Sequence, residues 1–424
     1  MAKMLENAGN AGIIIALAVM LLGGFLLTRV TKLLRLPNVT GYIISGVLIG
    51  PYVLGLIPQS LIAGMDFVTD IALGFIAFGV GKYFKLSTLR NDGTKTIVLT
   101  LCEALAAALF IALAMILIFR LPVPFALLIA AIGSATAPAS TIMTIRQYKA
   151  KGRFVDTMLQ VVALDDAVAL IAFSVSMAVC QALGAGGQVT AGMILLPLGL
   201  NVAAAGAGIA AGLGLNRLIN ERRSKDHRLV VVCVFILALC GLCALGNISP
   251  LLACMAMGAS YINASKNGRL FKQVNQLTPP VLVIFFVLSG MRLNVPALAT
   301  AGLVGVAYFL VRILGKGAGA YLGARITGAE EGVRRYLGLG LIPQAGVSIG
   351  LAALAQRMLP PETGTLLSTI ILSSAVLYEL VGPACAKAAL TLAGAIPGGR
   401  GKAEGTQAKP AKLAKAKKNA HCSA

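Results

Sequence analysis

The sequence predicts an all-α membrane protein with about thirteen transmembrane helices. Of its 424 residues, 58% are apolar and 12% are charged, whereas soluble domains average about 45–50% apolar and about 25% charged residues. A water-soluble enzyme of this size would need far more charged surface, so this class is excluded. Apolar stretches long enough for a helix to cross a bilayer recur along the chain. They span residues 11–30, 38–56, 66–81, 97–119, 122–145, 154–180, 190–216, 229–247, 249–262, 278–291, 299–325, 333–357 and 364–392.

Lysine and arginine predict the topology of these spans. Thirty of the 36 basic residues fall on one side of the membrane, four fall on the other, and Arg312 and Lys316 lie inside a helix. Because basic residues accumulate in cytoplasmic loops, the N-terminus is expected outside and the C-terminus in the cytoplasm of a bacterial inner membrane. The net charge of +21 therefore reports orientation in the lipid bilayer, and no nucleic-acid partner is expected. Residues 1–392 are predicted to form the transmembrane domain, and residues 393–424 a basic, disordered cytoplasmic tail.

Two spans carry helix breakers at mid-membrane depth. Pro138 lies in IGSATAPASTIM of the fifth span and Pro343 in GLGLIPQAGVSIGL of the twelfth. Proline removes a backbone donor, and unwound backbone at this depth survives only where it is buried in protein or lines a cavity. The two spans are seven apart and so run in opposite directions. Such a pair is typical of secondary transporters with inverted repeats and a site at the crossing of the broken helices; two simple proline kinks are the alternative.

Ionisable residues at bilayer depth are functional candidates, because each costs at least ~2.5 kcal/mol on insertion scales. Six residues qualify, and all lie on the spans that the repeat groups around the broken pair. They are Glu103, Asp165, Asp166, Arg312, Lys316 and Glu379.

Asp165 and Asp166, in VVALDDAVALIAF, are the strongest ion-binding candidates. Neighbouring residues of an α-helix point about 100° apart, so one carboxylate can face a cavity while the other faces an adjacent helix. A buried carboxylate can bind either a proton or a metal cation, and this competition is the basis of an exchanger. The alternative is that both aspartates only hold helices together.

Arg312 and Lys316 are four residues apart and share one face of their helix. One of them can pair with Asp165, and the other can neutralise Glu103 or the carbonyl ends of the broken helices, where the helix dipole is negative. Glu379 is expected to be a structural acid. The eight cysteines lack the paired spacing of a disulfide or metal framework, and no resident cofactor is expected.

Six segments resemble, in family order, the cation/proton antiporter superfamily in its branch of NapA-type and Kef-type proteins. They are LPNVTGYIISGVLIGPYVLGLI, SATAPASTI, ALDDAVALI, ILGKGAGAYLGARITG, GLIPQAGVSIGLA and YELVGP. The resemblance implies an NhaA-like antiporter fold with two crossed broken helices, in which a core domain moves against a dimerisation domain of a homodimer. It also implies that Asp165 pairs with Lys316 and that Asp166 carries the ion. Members with two aspartates and this lysine are typically electrogenic. Some relatives have an acidic residue at the first break, where this chain has TAP.

The resulting hypothesis is a sodium/proton antiporter with an elevator-like movement, and not an enzyme. Asp166 is expected to bind Na⁺ with help from Thr136, Ser134 and backbone carbonyls near Pro138. Monovalent cations and protons are then the transported partners. A K⁺/H⁺ exchanger or Kef-type efflux protein and a sodium-coupled organic-anion symporter are the alternatives within transport. An intramembrane aspartyl protease is disfavoured, because such enzymes resemble GxGD plus a separate YD, whereas here the aspartates are adjacent.

Overall fold

The computed structural model describes residues 9–33, 38–184, 191–219, 224–246, 248–296 and 298–396. Within these ranges every regular element is a helix, which confirms the predicted all-α class. Of the predicted basic tail, residues 397–424 lie outside the described residues. The first eight helices are α1 (Asn10–Leu33), α2 (Asn38–Ile49), α3 (Gln59–Ala63), α4 (Asp66–Gly81), α5 (Leu86–Leu117), α6 (Val123–Ser134), α7 (Pro138–Gln147) and α8 (Arg153–Gly184).

The second half of the chain continues the helical pattern. Its elements are α9 (Ala191–Leu218), α10 (Lys225–Leu245), α11 (Leu251–Ser265), α12 (Arg269–Met291), α13 (Leu298–Ile326), α14 (Glu331–Gly340), α15 (Gly346–Met358) and α16 (Pro361–Leu392).

The predicted apolar stretches coincide with these helices, but some helices extend further. α5 begins at Leu86 and α12 at Arg269, well before the predicted starts at residues 97 and 278, because a search for apolar runs misses polar turns at the end of a membrane helix. Eight of the described helices are both long and apolar enough to cross a bilayer, and α2, α6 and α11 are shorter apolar helices. The count of thirteen crossings and their orientation stay predictions.

Both proline-containing spans are interrupted where the sequence indicates. α6 ends at Ser134 and α7 begins at Pro138, while α14 ends at Gly340 and α15 begins at Gly346. The two interruptions meet, because the backbone N–H of Ala137 donates a hydrogen bond of 2.8 Å to the carbonyl of Pro343. A backbone N–H that the first break leaves unpaired is thus satisfied by a carbonyl of the second, which helps both breaks persist in an apolar environment. The internal repeat stays a prediction.

The helices form two groups. One, here named the charged bundle, comprises α5–α8 and α13–α16, with α5 packed along α13 and α16 packed on α13, α14 and α15. The other, the apolar bundle, comprises α1, α2, α4 and α9–α12, with α9 packed along α11 and α12 along α2. The main contacts between the bundles are α8 with α9, α4 with α15 and α2 with α16.

Glycines bring the closest helix pairs together. A methyl group on Gly319 of α13 would lie 2.6 Å from the Cα atom of Glu103 on α5, and one on Gly208 of α9 would overlap the carbonyl oxygen of Ala253 on α11. Small residues of this kind let membrane helices approach closely. The close approach of α5 and α13 brings Glu103 within reach of Lys316.

Candidate ion-binding site

Arg312 occupies the carbonyl ends of both broken helices. Its side chain is fully buried, and Nε donates to Gly133 O at 2.6 Å while one terminal nitrogen donates to Ala135 O at 2.5 Å. The other terminal nitrogen donates to Ile342 O at 2.8 Å, with a longer contact of 3.5 Å from the first to Leu341 O. The C-terminal end of a helix carries a partial negative charge and unpaired carbonyls. The guanidinium therefore sits where α6 and α14 end and satisfies carbonyls of both.

Lys316 lies one helical turn further along the same face of α13 and has three partners. Its Nζ atom lies 2.6 Å from Asp165 Oδ2 and 2.6 Å from Glu103 Oε2, and it also donates to the backbone carbonyl of Ser134. All three charged side chains are fully buried. Lys316 donates hydrogen bonds to Asp165 and to the Ser134 carbonyl, whereas Glu103 is held as an ion pair without a hydrogen bond to its carboxyl oxygens. Of the two cations that the sequence left open, Lys316 is the one paired with Asp165.

Asp165 and Asp166 differ sharply in their partners. Asp165 Oδ2 accepts from Lys316 and also from the Thr136 hydroxyl at 2.5 Å. Asp166 is 1% exposed, forms no ion pair with any described side chain, and its Oδ1 atom has no hydrogen-bond partner there. Adjacent positions on α8 thus hold one engaged and one unpaired carboxylate.

Two predicted ion ligands are turned away from Asp166. The Thr136 hydroxyl donates to Asp165, and the Ser134 hydroxyl donates to Ala131 O at 2.8 Å. This arrangement differs from the expected ligand set, in which both hydroxyls serve Asp166. The physical reason is local, because a serine in the last turn of a helix commonly donates to the carbonyl of the preceding turn.

A neutral polar cluster also supports the crossing. The Gln344 amide nitrogen, in the second break, lies 3.1 Å from Ile132 O, 2.9 Å from the Tyr308 hydroxyl and 2.8 Å from Ser348 Oγ, and its two N–H groups are shared among these acceptors. The sequence reasoning assigned no role to these side chains. A signal was present in the spacing of Tyr308, Arg312 and Lys316, which recur every four residues on α13 and line one face of the helix.

Glu379 and the two prolines lie at the edge of this site. Pro138 is the first residue of α7, and Pro343 lies in the second break. Gly382 of α16 packs on Pro343, where a methyl group would lie 2.9 to 3.1 Å from three proline atoms. Glu379, one turn earlier on α16, is fully buried, and neither carboxyl oxygen has a hydrogen-bond partner among the described residues. No contact in that part of the chain identifies the structural role expected of it.

A small cavity lies between the two bundles, one helical turn beyond Asp166 on α8. Its volume is about 60 Å³, and it is lined by residues of α8, α9, α15 and the segment before α11. Leu170, one turn beyond Asp166 on α8, and Ser174, one turn further, border it. The Asn201 amide crosses from α9 and donates to Ser174 Oγ at 2.8 Å. The cavity is large enough to hold water, and Ser174 and Asn201 give it a polar side.

The described residues contain no group of three or more His, Cys, Asp and Glu side chains suited to a bound metal ion. A cation at this site would therefore have few carboxylate ligands, with Asp166 as the unpaired one. Remaining ligands would have to come from hydroxyl, amide and backbone oxygens around the breaks.

Comparison with known proteins identifies the family. A family model described as "Sodium/hydrogen exchanger, transmembrane" matches residues 14–384. The chain is 25% identical over 390 residues to the putative cation/proton antiporter YbaL of Escherichia coli (strain K12), covering 84% of this chain and 68% of that protein.

Solved structures share the fold. A structure of the sodium proton antiporter MjNhaP1 from Methanocaldococcus jannaschii at pH 8 superposes with a TM-score of 0.72 at 20% identity, covering 89% of this chain and 97% of the other. A structure of the same antiporter from an electron-microscopy map gives a TM-score of 0.69 at 20% identity, with 88% and 96% covered. Since the family model spans most of the sequence, the chain belongs to the sodium/hydrogen exchanger family, within the transmembrane cation/proton antiporter superfamily.

Proposed function

We propose that this antiporter exchanges Na⁺ for protons across a bacterial inner membrane and that Asp166 is the group that binds either ion. The observation that carries the proposal is the unpaired carboxylate of Asp166, buried to 1% exposure one residue from a carboxylate that is engaged. An ionised carboxylate without a partner costs several kcal/mol in a low-dielectric interior. A cation or a proton relieves this cost equally well, and only one of them can occupy the group at a time.

The oxygen atoms around Asp166 suit a hard monovalent cation. The Thr136 hydroxyl donates its proton to Asp165 and keeps its lone pairs for a cation. Asp165 Oδ1 has no hydrogen-bond partner in the described part of the chain, and the first break adds the carbonyls near Pro138. Ser134 joins this set if its hydroxyl turns from Ala131 O.

Proton binding is coupled to the buried ion pair of Asp165 and Lys316. When Asp165 takes a proton, Lys316 loses an anionic partner but keeps Glu103 at 2.6 Å and the Ser134 carbonyl. Lys316 therefore keeps two of its three partners when its pair with Asp165 breaks. More than one proton exchanged for each Na⁺ makes the exchange electrogenic.

Alternating access is proposed to come from an elevator-like movement of the charged bundle against the apolar bundle. The two bundles meet at few helix pairs, and the cavity beside Leu170 lies at one of these contacts. The apolar bundle then stays fixed and supplies the interface of a homodimer. The N-terminus is placed outside and the C-terminus in the cytoplasm, as the basic residues indicate.

Ion-driven fluxes in liposomes test the proposal. Purified protein is reconstituted with an entrapped pH dye, the voltage is clamped, and Na⁺, Li⁺ and K⁺ are added in turn. Asp166→Asn is expected to abolish Na⁺-driven proton flux. The matched control is Asp156→Asn, which makes the same change at an exposed position of the same helix and is expected to exchange normally. Normal exchange by Asp166→Asn would refute the assignment of Asp166.

Potassium/proton exchange of Kef type is the second candidate, because the similar E. coli protein is described only as a cation/proton antiporter. The K⁺ arm of the same assay separates the two. A sodium-coupled organic-anion symporter is less well supported, because Arg312 and Gln344 fill the crossing with protein hydrogen bonds. Substrate-dependent Na⁺ uptake would identify that activity.

A further inference from the structure

The Glu379 carboxyl group is buried in the charged bundle without a partner. Its residue is fully buried, both carboxyl oxygens lack hydrogen bonds, and it forms no ion pair with the side chains that the structure describes. Glu103, Asp165, Lys316 and Arg312 all have partners, and Asp166 has the role proposed above. Glu379 is thus a buried acid that the exchange mechanism does not yet use.

Neighbouring residues on its helix place Glu379 beside both breaks. Positions 375, 379 and 382 lie on one face of α16, because they are spaced by four and three residues. Ala375 packs in one cluster with Ala137 of the first break and Ala345 of the second, and Gly382 packs on Pro343. The glutamate therefore lies between two positions that contact the interruptions.

Two helix ends at the crossing would stabilise a negative charge near Glu379. Arg312 supplies a cation to the carbonyl ends of α6 and α14. The opposite ends, where α7 begins at Pro138 and α15 begins at Gly346, carry the partial positive charge of a helix N-terminus. α16 packs against both of these half-helices. A carboxylate at Glu379 would be stabilised by these amino ends, and no charged side chain among the described residues pairs with it.

The surrounding ionisable groups do not pair with Glu379. Those of the helices packed on α16, within the described side chains, and of α16 itself, are Tyr42 of α2; Tyr308, Arg312, Lys316, Tyr321 and Arg325 of α13; Glu331, Arg334, Arg335 and Tyr336 of α14; Arg357 of α15; and Glu362, Tyr378, Cys385 and Lys387 of α16. Arg312 and Lys316 are fully engaged elsewhere, and Arg357 binds Asp70 at 3.0 Å.

We propose that Glu379 is a second exchangeable proton site, separate from the aspartates, which holds a proton in this conformation and releases it to water during the transport cycle. The O–H bond breaks, the proton leaves, and the carboxylate that remains is stabilised by the amino ends of α7 and α15. The part that Glu379 takes in the transport cycle rests on the proposed cation/proton exchange. The protonation of Glu379 itself does not depend on which cation is carried.

Infrared spectroscopy of the purified full-length protein tests the protonation. A protonated carboxyl group gives a C=O stretching band distinct from that of a carboxylate, and ¹³C labelling of glutamate shifts it. The wild type is expected to show this band, Glu379→Gln to lose it, and Glu362→Gln, an exposed position on the same helix, to keep it. A wild type without a protonated glutamate band overturns the proposal, and so does a band that persists in Glu379→Gln.

Proton release on Na⁺ addition tests the exchange. In weakly buffered detergent solution with a pH dye, the wild type and Glu362→Gln are expected to release equal numbers of protons, and Glu379→Gln fewer. Equal release by Glu379→Gln overturns the proposal. No release from the wild type would refute sodium/proton exchange itself, while the infrared band still decides whether Glu379 holds a proton. If Glu379→Gln does not fold, Glu379→Asp is compared: a shifted protonated band supports the proposal, and an unchanged band overturns it.

Discussion

The two bundles are both built of helices but differ in the charged residues that they bury. Every charged residue of the charged bundle that is fully or almost fully buried lies within one or two turns of the crossing or of the Lys316 ion pairs. In the described part of the apolar bundle the only charged residue classed as buried is Asp70, at 8% exposure, and its carboxylate reaches Arg357. Because buried charge is costly in a membrane, this asymmetry supports the proposal that the charged bundle binds the transported ions.

Proline interrupts only some of the helices that contain it. Pro279 and Pro280 lie within the continuous helix α12, Pro197 lies within α9, and Pro383 lies within α16 of the charged bundle, whereas Pro138 and Pro343 accompany interruptions. Proline alone therefore does not break a helix here. The breaks persist where other groups accept the freed backbone: Arg312 binds the carbonyls, and the breaks bond to each other.

The largest expected effect comes from removing the cation at the carbonyl ends. Arg312→Gln leaves four buried carbonyls without their charged donor, and each buried acceptor left without a hydrogen bond costs about 1–3 kcal/mol. We expect a large drop in the thermal unfolding midpoint in detergent, and loss of exchange. Arg325→Gln is the control, since it makes the same change at an exposed position of α13. If both variants unfold at the same temperature, Arg312 does not stabilise the breaks.

The next effect concerns the shared lysine. Lys316→Met leaves Glu103 and Asp165 close together without a cation, so we expect a loss of about 3 kcal/mol in unfolding free energy. Adding Glu103→Gln to Lys316→Met removes one of the two carboxylates and is expected to restore part of the loss. Thermal unfolding of the two single variants and the double variant measures this coupling. Strict additivity would mean that the three side chains do not form one network.

Much of this site could be predicted from the sequence. Charged residues are easily recognised in apolar spans. Glu103, Asp165 and Lys316 were therefore identifiable from the free-energy cost of burying a charge in the membrane. The breaks were identifiable because Pro138 and Pro343 occur among polar and small residues in spans of opposite direction.

Other features depend on three-dimensional register. Arg312 and Lys316 are equivalent in spacing, and only the position of α13 against the ends of α6 and α14 decides which one binds carbonyls. Gln344 and Tyr308 meet through contacts between distant segments. The Ser134 hydroxyl can donate to Ala131 O or turn from it, and its rotamer cannot be derived from composition.

A smaller effect is expected in the apolar bundle, where stability depends on close packing. Gly208→Ala places a methyl group against the carbonyl of Ala253, and overpacking of this kind typically costs 1–3 kcal/mol. Gly241→Ala is the control, because no atom lies within 4 Å of the added methyl. Thermal unfolding in detergent measures both. A Gly208→Ala protein as stable as the control would mean that α9 and α11 can separate without cost.

The smallest stability effect is expected where the two bundles are tied together. Arg357 of α15 binds both carboxylate oxygens of Asp70 on α4, at 3.0 and 3.2 Å, but its side chain is 31% exposed. Partly exposed ion pairs contribute about 0–1 kcal/mol, so Arg357→Gln should unfold within a few degrees of the wild type. Turnover is expected to rise, because a bond that joins the bundles must break whenever they move. Arg335→Gln, which removes an exposed pair with Glu331 inside α14, should leave turnover unchanged. If Arg357→Gln also leaves turnover unchanged, the bundles do not move against each other at this contact during the rate-limiting step.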